Sequence, residues 1–222
     1  MNHKGFQLEH CRLNCPKTAR NWHNLCEALT KKLTTLNLYQ TLEDKFSPVL
    51  NHHIPKIGLA GCPNGCSHPN IKDFGIAGYV IPQITDAPCK GCKECVRSCL
   101  EMAITFNQSG IAIDRSRCLS CGDCQRVCPS GTLIAGESGW TLLLGGRVGR
   151  HPQFAKSVRQ VQTDEEVLAW VSDTILRYIE NGQPHERLTH FVERLEDVSS
   201  IEHSNMQHAH VSSDANFQDR EQ

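Results

Sequence analysis

Between residues 19 and 36, in ARNWHNLCEALTKKLTTL, Trp22, Leu25, Leu29, Leu33 and Leu36 recur at three- and four-residue spacing. That period gathers them on one side of an α-helix, so an amphipathic helix is expected here, its apolar stripe turned inward. Cys26 follows Trp22 by one turn on the same stripe and reads as a packed core thiol. YQTLEDKFSPVL (39–50) predicts a second, shorter helix that stops before Pro48, because a proline pushes its predecessor out of the helical region. IPKIGLA (54–60) and FGIAGYVI (74–81) read as strands, and WTLLLGG (140–146) as a buried strand. Thr163 with Glu166 makes a capping box for a helix through Asn181 and Gly182, whose apolar face carries Leu168, Val171, Ile175 and Ile179. ERLTHFVERL (186–195) continues as a short amphipathic helix.

From Pro82 to about Gly139 this texture gives way to Cys, Gly and Pro with little helical periodicity. The pattern predicts a small domain, 82–139, inserted between two parts of a larger α/β domain, 1–81 and 140–197. Beyond Asp197 the chain is polar and aperiodic, so 198–222 is expected to be a disordered tail. His203, His208 and His210 read there as solvated residues rather than metal ligands.

Charge adds little: 23 basic against 24 acidic residues give a net charge of -1, so neither a nucleic-acid nor another polyanionic partner is expected. No charged leader precedes an apolar segment, and no apolar run approaches the ~18 residues of a membrane span, so a cytoplasmic location without a membrane span is expected. The cysteine count changes the picture. Thirteen thiols in a reducing compartment, and an odd number of them, argue against a disulfide framework and for metal or cluster ligation.

Eight of them form a duplication. CKGCKECVRSC holds Cys89, Cys92, Cys95 and Cys99; CLSCGDCQRVCP holds Cys118, Cys121, Cys124 and Cys128. Both read C-x2-C-x2-C-x3-C, in which three closely spaced thiolates wrap three corners of a cubane and the fourth ligates the other cluster. One [4Fe-4S] cluster is therefore expected on Cys89, Cys92, Cys95 and Cys128, a second on Cys118, Cys121, Cys124 and Cys99. A zinc site would want C-x2-C pairs separated by a longer arm. The segment resembles the bacterial two-cluster ferredoxins, with Leu100 in place of the usual proline after the first motif and Pro129 present after the second. Centres with four thiolate corners bind no substrate and make an electron wire.

Cys11, Cys15, Cys26, Cys62 and Cys66 remain. A tight Pro-Asn-Gly turn at a strand end, in GCPNGC, suits two thiolates on two irons of one cubane, with backbone N–H groups near the sulfurs; a zinc knuckle or packed thiols are the alternatives. GCPNGC followed by DFGIAG, together with GGRVGRHPQFA (145–155), resembles the siroheme and [4Fe-4S] nitrite and sulfite reductase family over nearly all of residues 8–197. The likeness is closest to the anaerobic, dissimilatory-type sulfite reductases, which have a ferredoxin domain inserted at this point of their ferredoxin-containing chain. It implies a sulfite/nitrite reductase hemoprotein-type α/β (α+β) domain with an inserted two-cluster ferredoxin α+β domain.

The resemblance further implies a third [4Fe-4S] cluster coupled to siroheme, with Cys66 bridging cluster and haem iron as the catalytic thiolate. Cys11 and Cys15 would complete the set, although three residues separate them here where the family more often has five. Siroheme carboxylates call for cations, and Arg147 and Arg150 in GGRVGR are the candidates, ahead of Lys17, Arg20 and Lys72. By the same resemblance the function is six-electron reduction of sulfite to sulfide, fed by an electron-donor protein. The resembled enzymes carry an additional N-terminal portion that supplies much of the haem cradle. Either the chain is a truncated member, or a partner chain supplies that half, or the clusters are kept and the haem is lost. The alternatives are a carrier of ferredoxin type that docks on a separate reductase, and reduction of nitrite.

Overall fold

The computed structural model describes residues 4–108 and 110–195, so the expectations for 198–222 lie outside the described residues. The first apolar stripe becomes helix α1, His23–Thr35, with Leu25, Leu29 and Leu33 fully buried. The helix starts four residues later than the periodicity suggests. The backbone N–H groups of Ala19 and Arg20 both donate to the Gly61 carbonyl, at 2.8 and 2.9 Å, and this ties 19–20 to the end of a strand instead. Cys26 packs half-buried against the core, and burial pushes its thiol up. Helix α2, Leu38–Phe46, ends before Pro48 as expected.

Strands β1 (Gln7–His10), β2 (Lys56–Ala60), β3 (Phe74–Ile84), β6 (Leu133–Leu144) and β7 (Lys156–Val161) form one sheet in the order β1-β2-β3-β6-β7. β1, β2 and β3 run parallel; β6 is antiparallel to β3, and β7 to β6. Alternation puts Ile57, Leu59, Phe74, Ile76, Trp140 and Leu142 on one buried face. Against it pack α1, α2, residues 188–195 and the long helix α5, Asp164–Asn181. The capping box of α5 forms: the Glu166 N–H donates to Thr163 Oγ1 at 3.2 Å and the Thr163 N–H donates to Glu166 Oε2 at 3.0 Å. Its buried stripe is Val167, Val171, Ile175 and Tyr178, with Leu168 and Ile179 at the margin. Among the described residues no helix is long and apolar enough to cross a membrane.

β3 and β6 extend beyond the apolar runs that mark them in the sequence. Their pairing reaches Ile84 opposite Leu133, so 82 and 139 fall inside strands. Pro82 hid this, since it cannot donate to a ladder; the register shift between Val80 and Pro82 accommodates it. The Cys-rich insert thus hangs from the end of a long hairpin. It contains helices α3 (Glu94–Ser98) and α4 (Asp123–Arg126), a hairpin of β4 (Ile104–Asn107) and β5 (Gly110–Ile113), and a small core in which Cys95 and Cys124 pack with Ile104 and Leu133.

The other face of the sheet is built for close approach. The loop from 61 to 73 returns across it, with Pro69 lying over Gly58 and Gly75. A Cβ on Gly75 would collide with the Pro69 carbonyl oxygen and stand 2.9 Å from Leu143 Cβ, so only glycine lets the loop lie down. Gly75→Ala is expected to cost ~1–3 kcal/mol, the usual penalty of overpacking, and to lift the loop that carries Cys62 and Cys66. Thermal denaturation checks this; a melt superimposable on that of the unaltered protein would mean the loop yields without cost.

Candidate metal and cofactor site

A cavity of about 350 Å³ separates the insert from the sheet, and Cys99, Cys118, Cys121 and Cys124 all line it. The second motif reaches this position because Gly122 adopts φ +79, and a Cβ there would stand 2.6 Å from Val80 Cγ1. Beside it the Val80 N–H donates to the Ser120 carbonyl at 2.8 Å. Lys17 pairs with Asp123 at 3.1 Å, and Arg126 bridges Asp123 to the Thr18 carbonyl. These contacts clamp the motif to the segment that follows Cys15. Burial pushes the Cys124 thiol up to about 11, and the charges of Cys118 and Cys121 act in the same direction. Thiolates must form to hold iron, so metal binding here releases protons.

In the first motif Cys89 and Cys92 are exposed and Cys95 is buried. Burial raises the Cys95 thiol, and the charges of Cys128 and Cys89 add to the effect, so the last cysteine of the second motif lies beside the first. Cys128 is held low against burial by the Leu133 N–H, which donates to its sulfur at 3.4 Å, and by the Ser130 hydroxyl. Cys99 in turn faces the second motif across the cavity, and its sulfur accepts from the Ala103 N–H at 3.3 Å. Each fourth cysteine therefore stands with the other motif.

Cys11, Cys15, Cys62 and Cys66 come together although 50 residues of sequence separate Cys11 from Cys62. Cys11 directly follows β1; its N–H donates to the Leu59 carbonyl and its sulfur accepts from the Gly61 N–H at 3.3 Å. Burial raises the Cys62 thiol, and the charges of Cys11, Cys15 and Cys66 raise it further. Cys15 is held low by the Lys17 N–H and by Arg12. Parallel pairing of β1 with β2 brings Cys11 into the set whatever its spacing to Cys15. Cys62 is buried, whereas Cys66 faces outward. Cys62, Pro63 and Asn64 also line the 350 Å³ cavity, so this quartet and the second motif share a wall.

Arg147 follows the other end of β6, beside the start of β3 and away from Cys62. Its Nη1 pairs with Glu193 at 2.6 Å and its Nε donates to the His151 carbonyl, so its fork fastens the 147–153 turn to residues 188–195. Together with Lys56, Lys72 and Arg187 it lines a polar hollow of about 220 Å³. Arg150 is exposed on the same turn. Lys72 pairs with Glu9 at 2.7 Å, and Arg20 with Asp164 at 3.3 Å beneath the Trp140 ring. The turn does approach the Cys66 loop, since the Ala155 N–H donates to the Asn70 carbonyl.

Among the described residues no three Cys, His, Asp or Glu side chains converge as a single ion requires. A cubane asks instead for thiolates on separate irons, with N–H donors to sulfur, and the three quartets offer both. They fit clusters. The Lys17–Asp123–Arg126 clasp and Asn64 escaped the reading of the sequence; a surface Lys or Arg carries no local mark of a distant partner.

Residues 8–196 match the family described as the nitrite and sulphite reductase 4Fe-4S domain. The chain is 29% identical over 164 residues to a coenzyme F420-dependent sulfite reductase of Methanocaldococcus jannaschii, which covers 72% of this chain and 26% of that one. It is 25% identical over 179 residues to the dissimilatory-type sulfite reductase subunit beta of Archaeoglobus fulgidus, covering 69% of this chain and 47% of that one. With the corresponding subunit of Nitratidesulfovibrio vulgaris it shares 30% identity over 164 residues, 63% of this chain and 42% of the other. The chain thus spans about a quarter to a half of these relatives. The crystal structure of dissimilatory sulfite reductase I has a similar fold, with a TM-score of 0.55 at 20% identity over 85% of this chain and 49% of that one.

Proposed function

The chain belongs to the nitrite and sulphite reductase 4Fe-4S domain family, and from that premise we propose that it is the electron-delivering component of a siroheme sulfite reductase. The observation that carries this reading is the shared wall: the cavity of Cys99, Cys118, Cys121 and Cys124 abuts the Cys62–Asn64 turn, and Cys66 at the end of that turn faces outward. Three [4Fe-4S] clusters, when bound, supply one-electron transfer, and siroheme supplies the iron at which sulfite, or nitrite, is reduced, six electrons taking sulfite to sulfide.

This chain's own residues hold and space those centres. Cys89, Cys92, Cys95 and Cys128 would hold the centre nearest solvent, and Cys99, Cys118, Cys121 and Cys124 the inner one. Cys11, Cys15, Cys62 and Cys66 would hold the third, with the exposed Cys66 the thiol available to the haem. The Lys17–Asp123 pair and Arg126 keep the inner motif against the third site. Because Arg147, Lys72 and Arg20 are already engaged in internal ion pairs, the haem's carboxylates fall largely to a partner chain, with Arg150 an exposed cation on the 147–153 turn. The same outward Cys66 favours a second reading, a three-cluster carrier that docks on a separate reductase.

Anaerobic reconstitution with iron, sulfide and siroheme separates the two. About twelve iron atoms per chain and a siroheme Soret band, from the chain alone or with its partner, are expected of the reductase component. Full iron with no haem in either case makes the protein a carrier, and iron-free or zinc-loaded protein overturns both.

A further inference from the structure

Asn64 sits between the two cysteines of its loop, and its side-chain Nδ2 donates to Cys66 Sγ at 3.1 Å. Beside it Gly65 takes φ +61, and the Gly65 N–H donates to the Cys62 carbonyl at 3.2 Å, closing the turn that aims the carboxamide at Cys66. Asn64 also forms part of the cavity wall opposite Cys118 and Cys121. The sulfurs of Cys11, Cys89 and Cys99 accept from backbone N–H groups, of Gly61, Gly91 and Ala103, which no side-chain substitution removes. At Cys66 the donor is a side chain and can be removed.

We infer that Asn64 is a positioning residue that steers the Cys66 sulfur and, through its hydrogen bond, raises the reduction potential of the centre on Cys62 and Cys66. The inference rests on the reading of that quartet as a cluster site. Its physical basis is that one-electron reduction adds negative charge which the cluster and its thiolate sulfurs share, and an N–H aimed at sulfur stabilises the more negative state. Losing the donor makes the centre harder to reduce.

The test is a redox titration of the anaerobically reconstituted full chain, followed by electron paramagnetic resonance, with iron counted in each sample. Asn64→Leu removes the donor at similar size. It is expected to lower the reduced-to-oxidised ratio of the third centre about tenfold at a fixed potential, a shift of about 59 mV for one electron. The two centres of the insert should titrate as in the unaltered protein, and Asn64→Gln, which keeps an amide donor, should restore most of the shift. A third centre present at full iron with its potential unmoved in N64L overturns the role of Asn64 and leaves the cluster assignment standing. Only about eight iron atoms in the unaltered protein overturns the third cluster, and this inference with it. Should N64L not assemble the third centre, the isosteric Asn64→Asp takes its place, and an unmoved potential there likewise overturns the role.

Discussion

Cys66→Ser is expected to abolish magnetic and electronic coupling between haem and cluster while the signals of the insert's two centres persist. The size of the effect follows from the position of the sulfur. Cys62 is buried against the cavity wall and Cys66 is the exposed thiol of the quartet at the end of the same turn, so on the proposed reading Cys66 is the one that would meet the haem. Serine keeps the turn and the shape but offers a harder, more basic oxygen in place of a soft thiolate, and soft ligands are what iron–sulfur centres select. Iron is expected to fall from about twelve to about eight atoms per chain if the third cluster is lost outright, or to stay near twelve with the coupling gone. Spectra of the haem-loaded protein, alone or with its partner, together with iron analysis decide it. Coupling and iron content both unchanged would remove Cys66 from the role of bridge.

Cys99→Ala is expected to erase the same centre as Cys124→Ala, although Cys99 belongs to the other motif. Cys99 lines the cavity with Cys118, Cys121 and Cys124, whereas Cys128 stands with Cys95 and Cys89. The two substitutions should therefore produce matching losses, about four iron atoms and one of two insert signals, with the surviving signal that of the outer centre. Reduction of the third centre by an external donor protein should slow by orders of magnitude in both, because the inner motif is the one whose cavity the Cys62–Asn64 turn shares. If instead C99A extinguishes the signal that C95A extinguishes, ligation is not crossed.

Much of the site is legible in the residues alone, for a local reason. The C-x2-C-x2-C-x3-C spacing and the GCPNGC turn fix their thiols within one or two turns of backbone, whose dimensions leave few alternatives. The capping box at Thr163 and Glu166 is local in the same way, and it forms where the sequence places it. The first helix misleads at its start because Ala19 and Arg20 spend their N–H groups on Gly61, a contact no periodicity encodes. The extent of β3 and β6 is hidden by Pro82 and by the exposed residues at their outer ends.

Thiol number, type and local spacing favour iron–sulfur ligation before any fold is known, through bond geometry within a few residues. Tertiary structure decided which thiols meet. Cys11 joins Cys62 only because β1 lies parallel to β2, the second motif faces the Cys62 turn only because Gly122 rests on Val80, and the turn lies on the sheet only because Gly58 and Gly75 present no Cβ to Pro69. Those outcomes depend on register and close approach between segments far apart in the chain. The free energy of burying the sheet's apolar face sets them, and no short stretch of sequence carries that information.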